Sequence, residues 1–223
     1  MERIDDLGID GLKLIQDTDL FCFGTDAVYL ANFAKAGSGT TVVDFCTGNG
    51  IIPVLLSAKT KAKKIIGIEI QAKSYELACR NAQVNKLEDK LTFINGDVKN
   101  CTDYILAGSV DVVTCNPPYM NTGAGFLNPD DAKAIARHEI LIDIEGIVSS
   151  AAKILKFGGH LYMVHRADRL CDIICTMRKY RLEPKRIKFL HPSPYKAPNL
   201  ILIDGMLGAN PSLKFENPEY VNA

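Results

Sequence analysis

Val110-Asp111-Val112-Val113-Thr114-Cys115-Asn116-Pro117-Pro118-Tyr119 is a β-branched, buried-looking run stopped by two prolines. Pro117 and Pro118 lack a backbone N–H and push the residue before them toward extended geometry, so the strand ends there. They leave a stiff pedestal at the carboxyl end of a strand, where open α/β sheets bind ligands. Asn116 offers a side-chain carbonyl, the peptide before Pro118 a second acceptor, and Tyr119 a flat aromatic face. Two acceptors and an aromatic plate suit a planar amide or an exocyclic amine. Taken alone, the stretch equally fits a diproline loop with a packed tyrosine.

On either side of this strand the chain alternates apolar strands with amphipathic helices. Strands are predicted at 41–45, 64–69, 91–94 and 110–114, with helices at 51–59 and 73–85 and a short one near 104–106. A helix at 142–155 follows, with Gly158-Gly159 just past its end, then a strand at 161–165 and a helix at 167–180. Segments 186–190 and 200–203 close the pattern as an antiparallel pair joined by a proline-bearing loop. Repeated βα units imply a parallel sheet with right-handed crossovers. There is no internal repeat and no interdomain linker. Residues 1–25 read as an N-terminal extension over the active site, 26–213 as one domain and 214–223 as a tail without functional signal. Within the extension, 12–16 suggests a strand. Ala27, Leu30, Ala31 and Ala34 recur at helical spacing, and Thr25 or Asp26 caps that helix, a role that competes with ligand contact.

Lys+Arg and Asp+Glu are both 26, so global charge points to no anionic partner, but its distribution is uneven. Residues 151–200 hold eleven Lys and Arg against three acids, which suggests a basic face in the C-terminal third. The seven cysteines form no Cys-x-x-Cys pair, so zinc is not expected; several sit within apolar runs, as buried free thiols in a reducing cytosol do. No apolar run approaches membrane-spanning length, and the acidic N-terminus carries no signal region. The expectation is a cytoplasmic protein without an obligate protein partner.

Asp44-Phe45-Cys46-Thr47-Gly48-Asn49-Gly50 joins the first strand of the alternation to its helix. Gly48 and Gly50 permit positive φ and close approach of a ligand. A dinucleotide fingerprint needs a third small residue where Pro53 stands, and an acidic residue opening the loop repels a pyrophosphate. Asp44 can instead pair with the ammonium group of an amino acid. Glu69, at the tip of the second strand, stands where α/β nucleotide folds place the carboxylate that accepts ribose hydroxyls. Asp97 can accept from an adenine amino group while Val98 packs on the ring. Each acid alone fits a turn or cap equally well. An amino-acid end, a ribose and an adenine without phosphates together describe S-adenosylmethionine.

These motifs resemble class I S-adenosylmethionine-dependent methyltransferases that modify amino groups. Phe23-Gly24-Thr25-Asp26-Ala27-Val28, Ala136-Arg137-His138-Glu139, Val164-His165-Arg166-x-x-Arg169-Leu170, Pro184-Lys185-Arg186 and His191-Pro192 are similar to the bacterial tRNA1(Val) (adenine(37)-N6)-methyltransferases, over residues 5 to about 213. Cys46 departs from that family, where a small Gly is usual. The resemblance implies a Rossmann-like α/β fold with a mostly parallel seven-stranded sheet and a C-terminal antiparallel strand pair. It implies cofactor contacts from Thr25, Asp26, Asp44, Cys46, Gly48, Gly50, Glu69, Ile70, Asp97, Val98 and Asn116, and a tRNA substrate. Asn116, Pro117 and Tyr119 would carry the chemistry. Pro118, Arg137, His138, Arg166, Arg169, Lys185, Arg186 and Lys188 are candidate substrate contacts, with 120–139 as a substrate lid.

The predicted reaction is methylation of adenine N6 in a tRNA, at the nucleotide beside the anticodon of a valine tRNA. The alternatives are a protein-glutamine methyltransferase, an enzyme acting on rRNA or DNA, and a non-catalytic binding module.

Overall fold

The computed structural model describes residues 1–20, 24–118 and 143–221. A nine-stranded sheet forms the body of the molecule, in the order β10-β8-β9-β7-β6-β3-β4-β5, with β11 also paired to β8. Its parallel centre comprises β3 (Thr41–Phe45), β4 (Lys64–Glu69), β5 (Leu91–Asn95), β6 (Val110–Cys115) and β7 (Leu155–Arg166). β9 (Leu200–Leu207) runs antiparallel between β7 and β8 (Leu182–His191). Seven long strands thus build the expected fold.

Helices α1 (Thr25–Phe33), α2 (Ile51–Lys59) and α3 (Ala72–Val84) lie over one apolar cluster. Helices α4 (Ile144–Ile154) and α5 (Leu170–Lys179) lie over a second, which includes Val43, Phe45, Val113, Met163 and Ile203. Both faces of the sheet are therefore buried, which is why β3, β4 and β6 read as unbroken apolar runs.

Three features differ from the sequence reading. Gly158 and Gly159 lie inside β7 rather than in a turn, opposite a register shift between Val110 and Val112. A Cβ at Gly159 would come within 3.1 Å of the Asp111 carbonyl oxygen, so the glycine permits a close strand approach there. The supposed tail adds two short strands along β8: β10 (Lys214–Phe215) and β11 (Glu219–Tyr220). Residues 1–17 form a complete hairpin, β1 (Glu2–Asp6) with β2 (Lys13–Asp17), where one strand was expected.

The hairpin is fastened to α3. Asn81, fully buried, accepts from the Ile15 N–H at 2.6 Å and donates to the Ile15 carbonyl at 3.0 Å. Asn85 repeats this pattern on Lys13.

Candidate active site

β3 is the point of reversal: β4 leaves on one side and β6 lies on the other, so the carboxyl ends of β3 and β6 form the switch point at which open α/β sheets bind ligands. Phe45 is in register with both Ile68 and Cys115, which brings the loops after these strands to one level.

The loop after β3 has left-handed backbone at Cys46 (φ 55), Gly48 (φ 57) and Gly50 (φ 83). Cys46 thus occupies a conformation that favours glycine, at the position where the resembled family usually has one. A Cβ at Gly48 would meet nothing within 4 Å, leaving room for a ligand to lie over the turn. A Cβ at Gly50 would press on Phe93 and Ala78, so this glycine serves packing of α2 and α3 against β5.

Asp44 holds the loop from inside. It has no exposed surface, and its oxygens accept from Thr47 Oγ1 at 2.6 Å and Thr114 Oγ1 at 2.5 Å. Burial pushes its carboxyl up to about 7 against the pull of Thr114 and Thr47, with nearby Glu69 adding to the rise. What Asp44 sets here is the shape of the loop and its tie to β6.

Glu69 is also buried, accepting from the Gly48 N–H at 2.8 Å and the Gln71 N–H at 2.9 Å. Each carboxylate oxygen retains a second acceptor position for a ligand hydroxyl. Ile70 beside it is 45% exposed, an apolar plate at a strand end. Asp97 caps a 3₁₀ turn, Val98–Asp103, by accepting from the Lys99 N–H, and Val98 is buried beneath it.

Neither Thr25 nor Asp26 is the N-cap residue of α1. Gly24 is the N-cap, with no side-chain bond, and the Asp26 carboxylate accepts from Asn116 Nδ2 at 3.0 Å. Pro117 is buried and Pro118 half-buried. Tyr119, Phe23, Arg137, His138 and the 120–139 stretch lie outside the described residues.

The basic candidates divide. Arg166 ends β7 near the ligand edge, bonded to Asp168, and Arg169 bonds Asp172 at 2.8 Å. Arg186 sits lower, on the row that links Asp44, Thr114, Tyr162 and Asp204 across the sheet. Its guanidinium donates to Asp204 (2.9 Å), Glu216 (2.6 Å) and the Phe33 carbonyl (3.1 Å), and covers the Phe33 ring. It therefore clasps β8, β9, α1 and the C-terminal segment rather than facing a substrate. Lys188 pairs with Glu219, and Lys185 bonds Asn210 and Ser212. His165, buried at the end of β7, accepts from the Arg166 N–H; burial, then Arg169 and Arg166, push it down to about 4.

Several site residues escaped the sequence reading. Thr47 and Thr114 are the partners of Asp44, and Asn81 Nδ2 also donates to the Asn49 carbonyl at 2.9 Å. Asn49 Nδ2 is a buried donor without a partner among the described residues. Only its place within Gly48-Asn49-Gly50 hinted at it.

The fold and this constellation define a class I methyltransferase. Consistent with this, 87% of the chain superposes on 86% of a predicted O-methyltransferase from Agrobacterium tumefaciens, with a TM-score of 0.70 at 20% identity. It also superposes on geranyl diphosphate C-methyltransferase from Streptomyces coelicolor in complex with S-adenosyl-L-homocysteine (TM-score 0.59, 16% identity, 82% of this chain and 79% of that one). The TRM5/TYW2 methyltransferase domain family matches residues 28–150, and the chain belongs to that family. A Porphyromonas gingivalis protein named tRNA1(Val) (adenine(37)-N6)-methyltransferase is 27% identical over 218 residues, covering 89% of this chain and 85% of the relative.

Proposed function

We propose that the chain transfers the methyl group of S-adenosylmethionine to adenine N6 in a tRNA, at the adenosine immediately 3′ of the anticodon of a valine tRNA. The observation that carries this is the Asn116 amide, set at the strand end beside the glycine loop with its NH2 turned to Asp26. Its oxygen is thereby the end offered to an incoming donor. The name of the Porphyromonas relative supports the choice of nucleotide.

The residues present fit the cofactor. Open space at Gly48, the Asn49 donor that has no partner among the described residues, the Glu69 acceptors and exposed Ile70 supply a close approach, a donor for a carboxylate, a ribose acceptor and an apolar ring contact. When bound, S-adenosylmethionine supplies an electrophilic methyl group on a sulfonium.

The chain's part is to prepare the nitrogen. An adenine N6 lone pair is delocalised into the ring, and positive charge grows on it as it attacks. Asn116 Oδ1 and the Pro117 carbonyl accept its two N–H hydrogens, which favours a pyramidal nitrogen and stabilises the charge. Preorganised partners of this kind contribute roughly 3 kcal/mol each. The C–S bond electrons stay with the sulfur as a neutral thioether, and the methylated nitrogen is a cationic ammonium whose N–H is acidic, so loss of one proton to water needs no strong base. An unpaired anticodon-loop base is cheaper to extrude than a duplex base.

Incubation with labelled cofactor and unmodified total tRNA, then nucleoside analysis and mapping, tests this. N6-methyladenosine beside the valine anticodon is expected, and Asn116→Ala should abolish it while leaving cofactor affinity nearly intact. Label in rRNA, DNA or a protein glutamine would overturn the substrate; near-normal turnover by Asn116→Ala would overturn the site.

A further inference from the structure

Asp26 and Asn116 are ninety residues apart in sequence and 3.0 Å apart in space. An ionised carboxylate has acceptors only, so the end of Asn116 that faces it must be the NH2 group. The terminal torsion of asparagine is broad and nearly two-fold, so an untethered amide samples both orientations. In the reversed one an N–H would confront the N–H of an incoming amine. Chemistry at this site therefore needs something that selects one orientation.

We propose that Asp26, seated by Gly24, is a positioning residue that locks Asn116 with its oxygen toward the substrate amine. The inference rests on the reading of Asn116 as the amine acceptor and reassigns Asp26 from a cofactor contact.

A second observation comes from the turn that precedes α1. A Cβ built on Gly24 would lie 2.6 Å from Asp26 Oδ1 and 3.5 Å from its Cγ. The carboxylate is folded back over the helix start, so a side chain at position 24 forces its Oδ1 end to shift. Gly24 has φ −100 and ψ 175, a conformation open to alanine, so backbone geometry does not require a glycine here. The space occupied by the Asp26 carboxylate does. That location also places the carboxylate in the first turn of α1, where the helix dipole favours an acidic side chain.

Gly24→Ala is therefore a probe that leaves both Asp26 and Asn116 in the sequence yet separates them. Gly24→Ala and Asp26→Ala should each lower kcat by about ten- to a hundredfold. Cofactor affinity by calorimetry should stay within about threefold and the melting temperature near that of the native protein, as a loss confined to the transition state requires. Asp26→Asn keeps an oxygen able to accept from Asn116 Nδ2 and should recover most of the rate.

The ¹⁵N side-chain resonances of Asn116, followed without substrate, read the contact directly and should move in both Gly24→Ala and Asp26→Ala. Native kcat in Asp26→Ala, a loss confined to cofactor affinity, or an unmoved Asn116 resonance would each overturn the assignment. Movement of that resonance in a protein that methylates no tRNA would support the contact while sinking the substrate reading.

Discussion

Replacing Asp44 by asparagine should change the pH dependence of stability far more than stability at acid pH. The side chain has no exposed surface, and burial raises its carboxyl from 3.8 to about 7. That rise of roughly three pH units, at 1.36 kcal/mol each, corresponds to about 4 kcal/mol of linkage. The folded protein holds this proton more tightly than the unfolded chain. The contribution of Asp44 is therefore fully present below about pH 4 and is lost as pH rises through about 7. Asparagine is isosteric and uncharged throughout, and the hydroxyls of Thr47 and Thr114 can turn to accept from its NH2. Urea unfolding at several pH values between about 4 and 8 should show Asp44→Asn gaining steadily on the native protein, by up to about 4 kcal/mol. Two curves that stay parallel within about 1 kcal/mol across that range would refute the argument from burial.

His165→Gln should act with the opposite sign. The native imidazole is held down to about 4, so its contribution is present above pH 6.5 and lost on acidification; the variant should lose less between about pH 6.5 and 4 in the same titration. The two groups oppose each other over this window, so the native protein should show a flatter profile than either variant. Arg186→Met should destabilise by about 2–4 kcal/mol, since buried Asp204 loses a charged partner. Its folded form should bind tRNA as the native protein does; a selective loss of tRNA affinity would contradict the structural clasp. Paired charge reversal, Arg166→Glu with Arg169→Glu, should weaken tRNA binding and flatten its salt dependence by about one to two phosphate contacts. An unchanged slope in filter binding would leave both as partners of Asp168 and Asp172 alone.

Strand and helix succession was legible because both faces of the sheet are covered, giving β3 (Thr41–Phe45) and β4 (Lys64–Glu69) continuous apolar patterns that match their observed limits. What failed to show were features decided by distant partners. Gly158-Gly159 looks like a helix stop until the close approach of Asp111 is known, and Phe215 and Tyr220 look like tail residues until β8 offers them an edge. At the site, Asn116 and Glu69 could be singled out because strand ends carry ligands. The engagement of Asp26 with Asn116 could not, since nothing local links positions ninety apart. The same holds for Arg186, which reads as a surface cation in a basic segment but lies among Asp204, Glu216 and Phe33.

Asn81 gives the N-terminal hairpin a reach beyond its own position. One side chain bonds the Ile15 backbone twice and the Asn49 carbonyl once, so the hairpin and the glycine loop share an anchor in α3. Opening either must strip partners from the same buried amide, and a half-unbonded amide is costly in that setting. In native-state hydrogen exchange, the amides of Ile15 and of the glycine loop should consequently open together as one cooperative unit, and cutting the chain after β2 should quicken exchange in a loop more than thirty residues downstream.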